Sequence, residues 1–338
     1  MMNNSKILYI GNNLQNSTNY ITTIDSLSKS LKGLGFKVYT SSRIKNKFFR
    51  FLDMCYSVIR YQSRVDYILI DTYSTSNFYF AYFTSQLSRI FNVKYIPILH
   101  GGGLPNRLKN NPNLSRHVFK NSYLNISPSG YLKDIFSTNG YSTQLIKNTI
   151  DIDTYSFKER VILEPKLLFV RAFAKMYNPT MAIHVLSKLK ENFPEATLCM
   201  IGPDKDGELE ASINLAKKLN ILDSVEFCGV LSKKDWHKKS IDCDVFINTT
   251  NVDNTPVSVI EAMALGLPIV STNVGGIPYL IEDKVDGLLV EKNNVKQMTE
   301  NIKSLLNNEH KDVPINARTK AESYAWEVVK YKWLELLK

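Results

Sequence analysis

The stretch DCDVFINTTNVDNTPVSVIEAMALGLPIVSTNVGGIPYLIEDKVDGLLV, residues 242–290, alternates apolar runs of strand length, polar turns and short helical patterns without a break. CDVFIN (243–248) is too short for a helix of its own and too apolar for an exposed strand, which predicts a buried parallel strand. The polar loop 249–254 then lies at the carboxyl end of that strand. Thr255 offers a side-chain oxygen for an N-cap, and Pro256 supplies the fixed φ of a first helical residue. Val257 and Ser258 follow with backbone N–H groups that have no intrahelical acceptor, so an anion is favoured at this helix start. Glu261 comes about one and a half turns later, where a carboxylate can accept hydrogen bonds from the vicinal hydroxyls of a ribose. A phosphate at the helix start and a ribose beside Glu261 together describe a nucleotide.

Outward from this stretch the alternation continues in both directions. SKILYI (5–10), FKVYTSS (36–42), DYILIDT (66–72), VKYIPIL (93–99) and SYLNIS (122–127) read as strands before the midpoint; KLLFVR (166–171), ATLCMI (196–201) and SVEFCG (224–229) do so after it. Amphipathic helical patterns separate them, for example Ile21, Ile24, Leu27, Leu31 and Leu34, or Met181, Ile183, Val185, Leu186 and Leu189. Strand and helix periods in strict succession predict an α/β fold with a doubly wound parallel sheet in each half. No G-x-G-x-x-G follows the first strand, which argues against a dehydrogenase. The strand 93–99 ends in His100-Gly101-Gly102-Gly103, where glycines let backbone approach a ligand at the carboxyl edge of the sheet. The basic segment LPNRLKNNPNLSRH after it reads as a loop that carries Arg107.

At 338 residues the chain has room for two domains of ordinary size. No apolar run reaches membrane-spanning length and MMNNSKILYIGNN enters a strand directly, so the expectation is a cytoplasmic protein. Cys55, Cys199, Cys228 and Cys243 form no C-x-x-C pair and read as buried free thiols, with no metal site. Charge is uneven: residues 1–155 hold 18 Lys and Arg against 7 Asp and no Glu, a net of +11, whereas residues 156–338 carry −1. A basic half faces something acidic, namely membrane lipid, a pyrophosphate-linked acceptor or nucleic acid. In residues 43–64 the cations Arg43, Lys45, Lys47, Arg50, Arg60 and Arg64 are opposed by Asp53 alone, and Phe48, Phe49 and Phe51 lie among them. Such a segment suits the inner face of an anionic membrane, or else a core helix with a solvated basic face.

Asp253 and Glu261 enclose seven residues, and this spacing resembles the Glu-x7-Glu motif of the retaining glycosyltransferases of family 4. EAMALGLPIVSTNVGGIPYLI (261–281) is similar to that family's EAMA-G-PVV-GG-E region, with Tyr279 where Glu is commonest, and Asp253 where Glu opens the motif. NTIDIDTY (148–155) resembles its interdomain segment. The resemblance implies the GT-B fold: two facing Rossmann-like domains, here 1–155 on the acceptor side and 156–316 binding the nucleotide sugar, with a C-terminal helix in 317–338 crossing back to the first. The hinge is expected between Asn148 and about Glu164. It further implies donor contacts from Arg171, from Lys175 (or Tyr177 or Asn178 by the spacing to the next helix), from Gly202 in the turn Gly202-Pro203-Asp204, and from Asp253, Thr255, Pro256, Val257, Ser258 and Glu261. His100, Asp253 and Arg171 take the catalytic roles, and Gly11, Gly101, Gly102 and Arg107 the acceptor side. The expected activity is metal-independent hexosyl transfer, with no cofactor, from a UDP- or GDP-linked sugar to a glycan or lipid-linked acceptor in cell-surface polysaccharide synthesis. Nucleic acid is not expected as a partner. Two other readings stay open: a sugar-nucleotide epimerase of the same fold, and a non-catalytic polyanion-binding protein.

Overall fold

The computed structural model describes residues 5–13 and 22–338. The first helical pattern's Ile21 and most of the loop after Gly11 lie outside them. Two compact units emerge, Met1–Asn148 with Trp326–Lys338, and Thr149–Ala325.

Unit 1 runs β1 (Lys6–Ile10), α1 (Thr23–Gly33), β2 (Lys37–Ser41), α2 (Lys47–Tyr61), β3 (Tyr67–Tyr73), α3 (Phe78–Ile90), β4 (Lys94–His100), α4 (Leu104–Asn110), α5 (Pro112–Phe119), β5 (Asn125–Ser127), α6 (Gly130–Thr138) and β6 (Thr143–Leu145). Its sheet has the order β2-β1-β3-β4-β5-β6, and its strand pairs are parallel. Ile7, Tyr9, Leu69, Ile96 and Ile98 bury one face of the sheet, and Leu8, Ile10, Ile68 and Ile70 the other, as a sheet covered by helices on both sides requires. The segment after His100 is not a loop. Pro105 and Pro112 sit in the first turns of α4 and α5, where a missing N–H costs nothing.

Unit 2 continues with β7 (Lys166–Val170), α7 (Pro179–Leu189), β8 (Thr197–Ile201), α8 (Glu208–Lys218), β9 (Val225–Gly229), α9 (Lys233–Lys239), β10 (Val245–Asn248), α10 (Val257–Ala264), β11 (Ile269–Thr272), α11 (Ile277–Leu280), β12 (Leu288–Val290), α12 (Val295–Leu306) and α13 (Val313–Glu322). Its parallel sheet has the order β12-β11-β10-β7-β8-β9. The stretch between the units is anchored here: the buried Arg160 guanidinium donates to the carbonyls of Ser240, Cys243 and Leu265 and pairs with Asp244 at 3.4 Å.

The tail divides differently from the sequence expectation. α13 stays with unit 2, where Ala317, Ala321 and Tyr324 pack against Val259, Ile260 and Met263. The returning helix is α14 (Trp326–Leu336), whose Val329, Trp333 and Leu336 join Ile7, Tyr9 and Tyr67 in the core of unit 1. Lys332 Nζ donates to Leu145 O at 3.1 Å, and Tyr67 Oη to Lys338 O at 3.0 Å. The widely spaced cysteines also meet in part: Cys199 and Cys228 Sγ are 3.5 Å apart on neighbouring strands, and a Glu226 oxygen lies within 4.8 Å of both. Glu226 is meanwhile paired with Lys239 at 2.6 Å.

Candidate active site

In unit 2 the polar residues gather at the carboxyl edge of the sheet, where open α/β sheets bind ligands. Arg171 follows β7, and its guanidinium pairs with Asp253 in the loop after β10. The same guanidinium lies over the Tyr177 ring, 4.1 Å from its centroid, so Tyr177 rather than Lys175 is its neighbour. Lys175 is exposed in the short 3-10 turn Lys175–Tyr177. Arg171 Nε is buried without a hydrogen-bond partner, and burial pulls this guanidinium below its ordinary pKa. Gly202 backs directly on the Arg171 carbonyl, leaving no room for a Cβ, so its part is to let the two strand ends close up.

The Asp253 loop is held from beneath by a feature the motif does not explain. Gly276 N–H donates to Asp253 O at 3.0 Å, and a Cβ on Gly275 or Gly276 would overlap the carbonyl of Asp253 or Asn254. Asp253 Oδ1 accepts from Asn254 N–H at 2.9 Å, which turns the carboxylate toward Arg171.

The helix start is displaced by one residue from expectation. α10 begins at Val257 with Pro256 as N-cap, in extended conformation (φ −68°, ψ 118°), and no side chain caps it. Thr255 therefore does not cap. The Pro256 carbonyl takes the N–H groups of Val259 and Ile260, so those of Val257 and Ser258 remain for an anion. Among the described residues Ser258 Oγ is buried there without a hydrogen-bond partner.

Glu261 is 4% exposed, and its Oε1 accepts from Tyr155 Oη at 2.7 Å and Lys233 Nζ at 2.6 Å. Burial, followed by the carboxylate's charge, pushes the Tyr155 phenol far up, so it stays a donor. His237, whose ring centroid is 4.7 Å from that of Tyr155, is pulled down by burial. Lys233 and His237 carry no motif, and Tyr155 ends the interdomain segment without a role there, so only proximity in the fold reveals the three together.

Unit 1 holds a second polar cluster, at the ends of β1, β3 and β4. His100 Nε2 and Asp71 Oδ1 are 2.8 Å apart, and the same oxygen accepts from Tyr9 Oη at 2.8 Å. Tyr73 stacks on His100 with centroids 5.0 Å apart. Burial, then Asp71, pushes the Tyr9 hydroxyl well up, so it donates and Asp71 accepts. In the tautomer that directs Nε2–H at Asp71, the His100 ring presents Nδ1 as an acceptor. Gly11 is explained by this cluster: a Cβ there would overlap Asp71 Oδ2. Asp71 was legible only as a residue of a strand run. Gly101 and Gly102 turn the chain away from β4, with Gly101 at φ +84°. Arg107 donates to Ser74 O through Nε and Nη2, at 3.1 and 2.6 Å, and lies over Phe78, which makes it a strut between α4 and the end of β3.

The model of the family described as glycosyl transferases group 1 matches residues 151–326. A Haemophilus influenzae protein described as an uncharacterized glycosyltransferase is 32% identical over 159 residues, covering 46% of this chain and 44% of its own. A Methanocaldococcus jannaschii protein of like description is 26% identical over 260 residues, 71% of this chain and 67% of its own. The chain thus spans less than half the length of the Haemophilus relative. Among solved structures, Anabaena HepE in complex with UDP superposes with a TM-score of 0.76 at 16% identity, covering 98% of this chain and 99% of that one. That likeness establishes the two-sheet GT-B architecture.

Proposed function

Because the chain belongs to the glycosyl transferases group 1 family, we propose that it moves a sugar from a nucleotide-sugar donor to a hydroxyl of a glycan or lipid-linked acceptor in cell-surface polysaccharide synthesis, with retention at the anomeric carbon. The observation that carries this reading is the anion seat at α10: two free amides, the unpartnered Ser258 hydroxyl, and Arg171 close by through Asp253. In the proposal these groups meet the diphosphate, with Lys175 at the exposed side, and no metal is required. Glu261, with its free oxygen beside the bonded Oε1, takes the ribose hydroxyls. The bond from the anomeric carbon to the phosphate oxygen breaks as the acceptor oxygen adds on the same face, and the acceptor proton passes to the leaving phosphate. Preorganised charge at that phosphate is the main source of acceleration.

Asp253 is assigned to hydroxyls of the donor sugar, and His100, through Nδ1, to a substrate hydroxyl. Binding of UDP by HepE favours a uridine nucleotide. The test is calorimetry with UDP and GDP, followed by transfer from the matching labelled donor sugars. Nucleotide at about a hundred times its Kd adds roughly 2.7 kcal/mol of stability, so a melting screen finds the base first. Absence of a stabilising nucleoside diphosphate overturns the reading.

A further inference from the structure

We propose that the outer face of α2, continued onto α3, seats unit 1 on an anionic lipid bilayer. This inference is independent of the donor reading. α2 turns Met54, Ser57, Val58 and the aliphatic part of Arg50 inward. The opposite face of a helix at a protein surface is ordinarily polar. Here Phe48, Phe49, Leu52, Tyr56 and Ile59 fall within an arc of roughly 100° at 3.6 residues per turn, and all five are exposed, Phe48 at 64%. Phe51 stacks on Phe80 and meets Phe83 of α3 edge-on, with centroids 6.0 and 5.2 Å away, and the exposed Phe83 carries the apolar surface onto that helix. A contiguous exposed patch of this kind marks an interaction site.

Charge decides the occupant. Arg43, Lys45 and Lys47 precede or open α2, Arg60 and Arg64 close it, and all five are exposed. The one acid of the segment, Asp53, is turned to Ser41, whose hydroxyl donates to it at 3.1 Å. Rings and aliphatic chains between two groups of cations match a bilayer surface, where the rings enter the interface and the cations meet anionic headgroups. Among the described residues no helix is long and apolar enough to cross a membrane, so the contact is a surface one. Arg50 does not belong to the contact. Its guanidinium donates to the carbonyls of Ile44 and Lys45 and to Asn12 Oδ1, and it is 6% exposed.

The experiment is sedimentation of the full chain with vesicles of phosphatidylcholine alone or rich in phosphatidylglycerol. The wild type is expected to sediment with the anionic vesicles and to remain in solution with the neutral ones. Lys45→Gln/Lys47→Gln/Arg60→Gln lowers partitioning by about a hundredfold, and Phe48→Ser/Leu52→Ser/Tyr56→Ser by at least about tenfold. All six positions are exposed, and unchanged melting confirms that both variants fold. Equal recovery with the two vesicle types overturns the proposal, as does wild-type binding by either folded variant. Light scattering supplies the other overturning result: a dimer that the serine variant abolishes, without vesicle binding by the wild type, assigns the face to a second copy of the chain.

Discussion

Asp253, in the loop after β10, and Asp71, near the carboxyl end of β3, are both acids at the carboxyl edge of a parallel sheet, and they keep opposite company. Asp253 faces Arg171 with both side chains partly open, at 13% and 15% exposure. Asp71, at 2%, is closed in by Tyr9 and His100. An acid paired with a guanidinium that an anionic ligand also needs competes with that ligand. An acid bonded to a buried phenol and an imidazole competes with nothing and can only orient. On the proposed reading the first arrangement would tune affinity, and the second would fix geometry.

The largest expected effect tests the orienting side. His100→Ala should lower turnover by on the order of a hundredfold or more, while calorimetry with the nucleoside diphosphate gives the wild-type Kd. Asp71→Asn should reproduce part of that loss with the same unchanged Kd, because Nε2–H then meets a neutral oxygen and the ring's tautomer is less firmly set. Should Asp71→Asn bind nucleotide more weakly, or turn over normally, the orienting role is lost and so is the contrast with Asp253.

Next comes Glu261. Glu261→Gln removes the charge that Tyr155 and Lys233 address, and nucleotide affinity should fall by roughly 1.5 to 3 kcal/mol if one charge-assisted bond to the ligand is lost. Tyr155→Phe should cost less, since Lys233 continues to hold Oε1. A Kd for Glu261→Gln equal to that of the wild type would place the ribose elsewhere.

The glycines sharpen the comparison at the level of packing. Gly276→Ala drives a methyl into the Asn254 carbonyl, which is backbone and cannot rotate away, so melting should report a loss of about 1 to 3 kcal/mol. Gly11→Ala meets a side-chain oxygen of Asp71 instead, which can move. It should melt near the wild-type temperature and lose turnover, because the displaced carboxylate takes His100 with it. Equal melting of the two variants would erase the distinction.

The sheets were legible because buried parallel strands are short unbroken apolar runs, as 245–248 and 67–73 are, and because Pro and Gly punctuate them. The places of the motif residues were legible in the same way: Arg171 follows a strand and Glu261 lies inside the helix after the polar loop. What stayed hidden was partnership. Asp71 reads as one polar residue in a strand run, Tyr155 as part of a linker, and Lys233 as one of many lysines. Each acquires a role only when the fold brings residues 28 to 106 positions apart into contact, as Lys233 with Glu261, Tyr9 with Asp71 or Tyr155 with Glu261. The helix start moved from Pro256 to Val257 because Pro256 keeps an extended ψ, and the phantom loop after Gly103 became two helices because prolines in first turns look like breakers in sequence.

The smallest expected effect bears most directly on the contrast. Among the described residues Arg171 has one carboxylate partner, and on the proposed reading a diphosphate entering beside α10 would share that guanidinium with Asp253 or displace it. Asp253→Asn removes the competitor. Nucleoside diphosphate affinity should therefore rise, by about 1 kcal/mol for a partly exposed pair, while transfer falls because the sugar loses its charged acceptor. Melting should fall as well, since a guanidinium whose Nε is already buried without a partner among the described residues loses its countercharge. Asp253→Glu restores the charge on a stem longer by one methylene, so its affinity should return to the wild-type value and its transfer persist, with a changed preference among sugars. Salt distinguishes competition from a local rearrangement, because an ion pair that opposes binding weakens as ionic strength rises, and the gap between wild type and Asp253→Asn should narrow. An unchanged Kd would mean that the pair survives nucleotide binding and Asp253 addresses the sugar alone. A Kd weakened as far as by Glu261→Gln would mean that Asp253 holds the nucleotide itself, and the two acids of the motif would then do the same work.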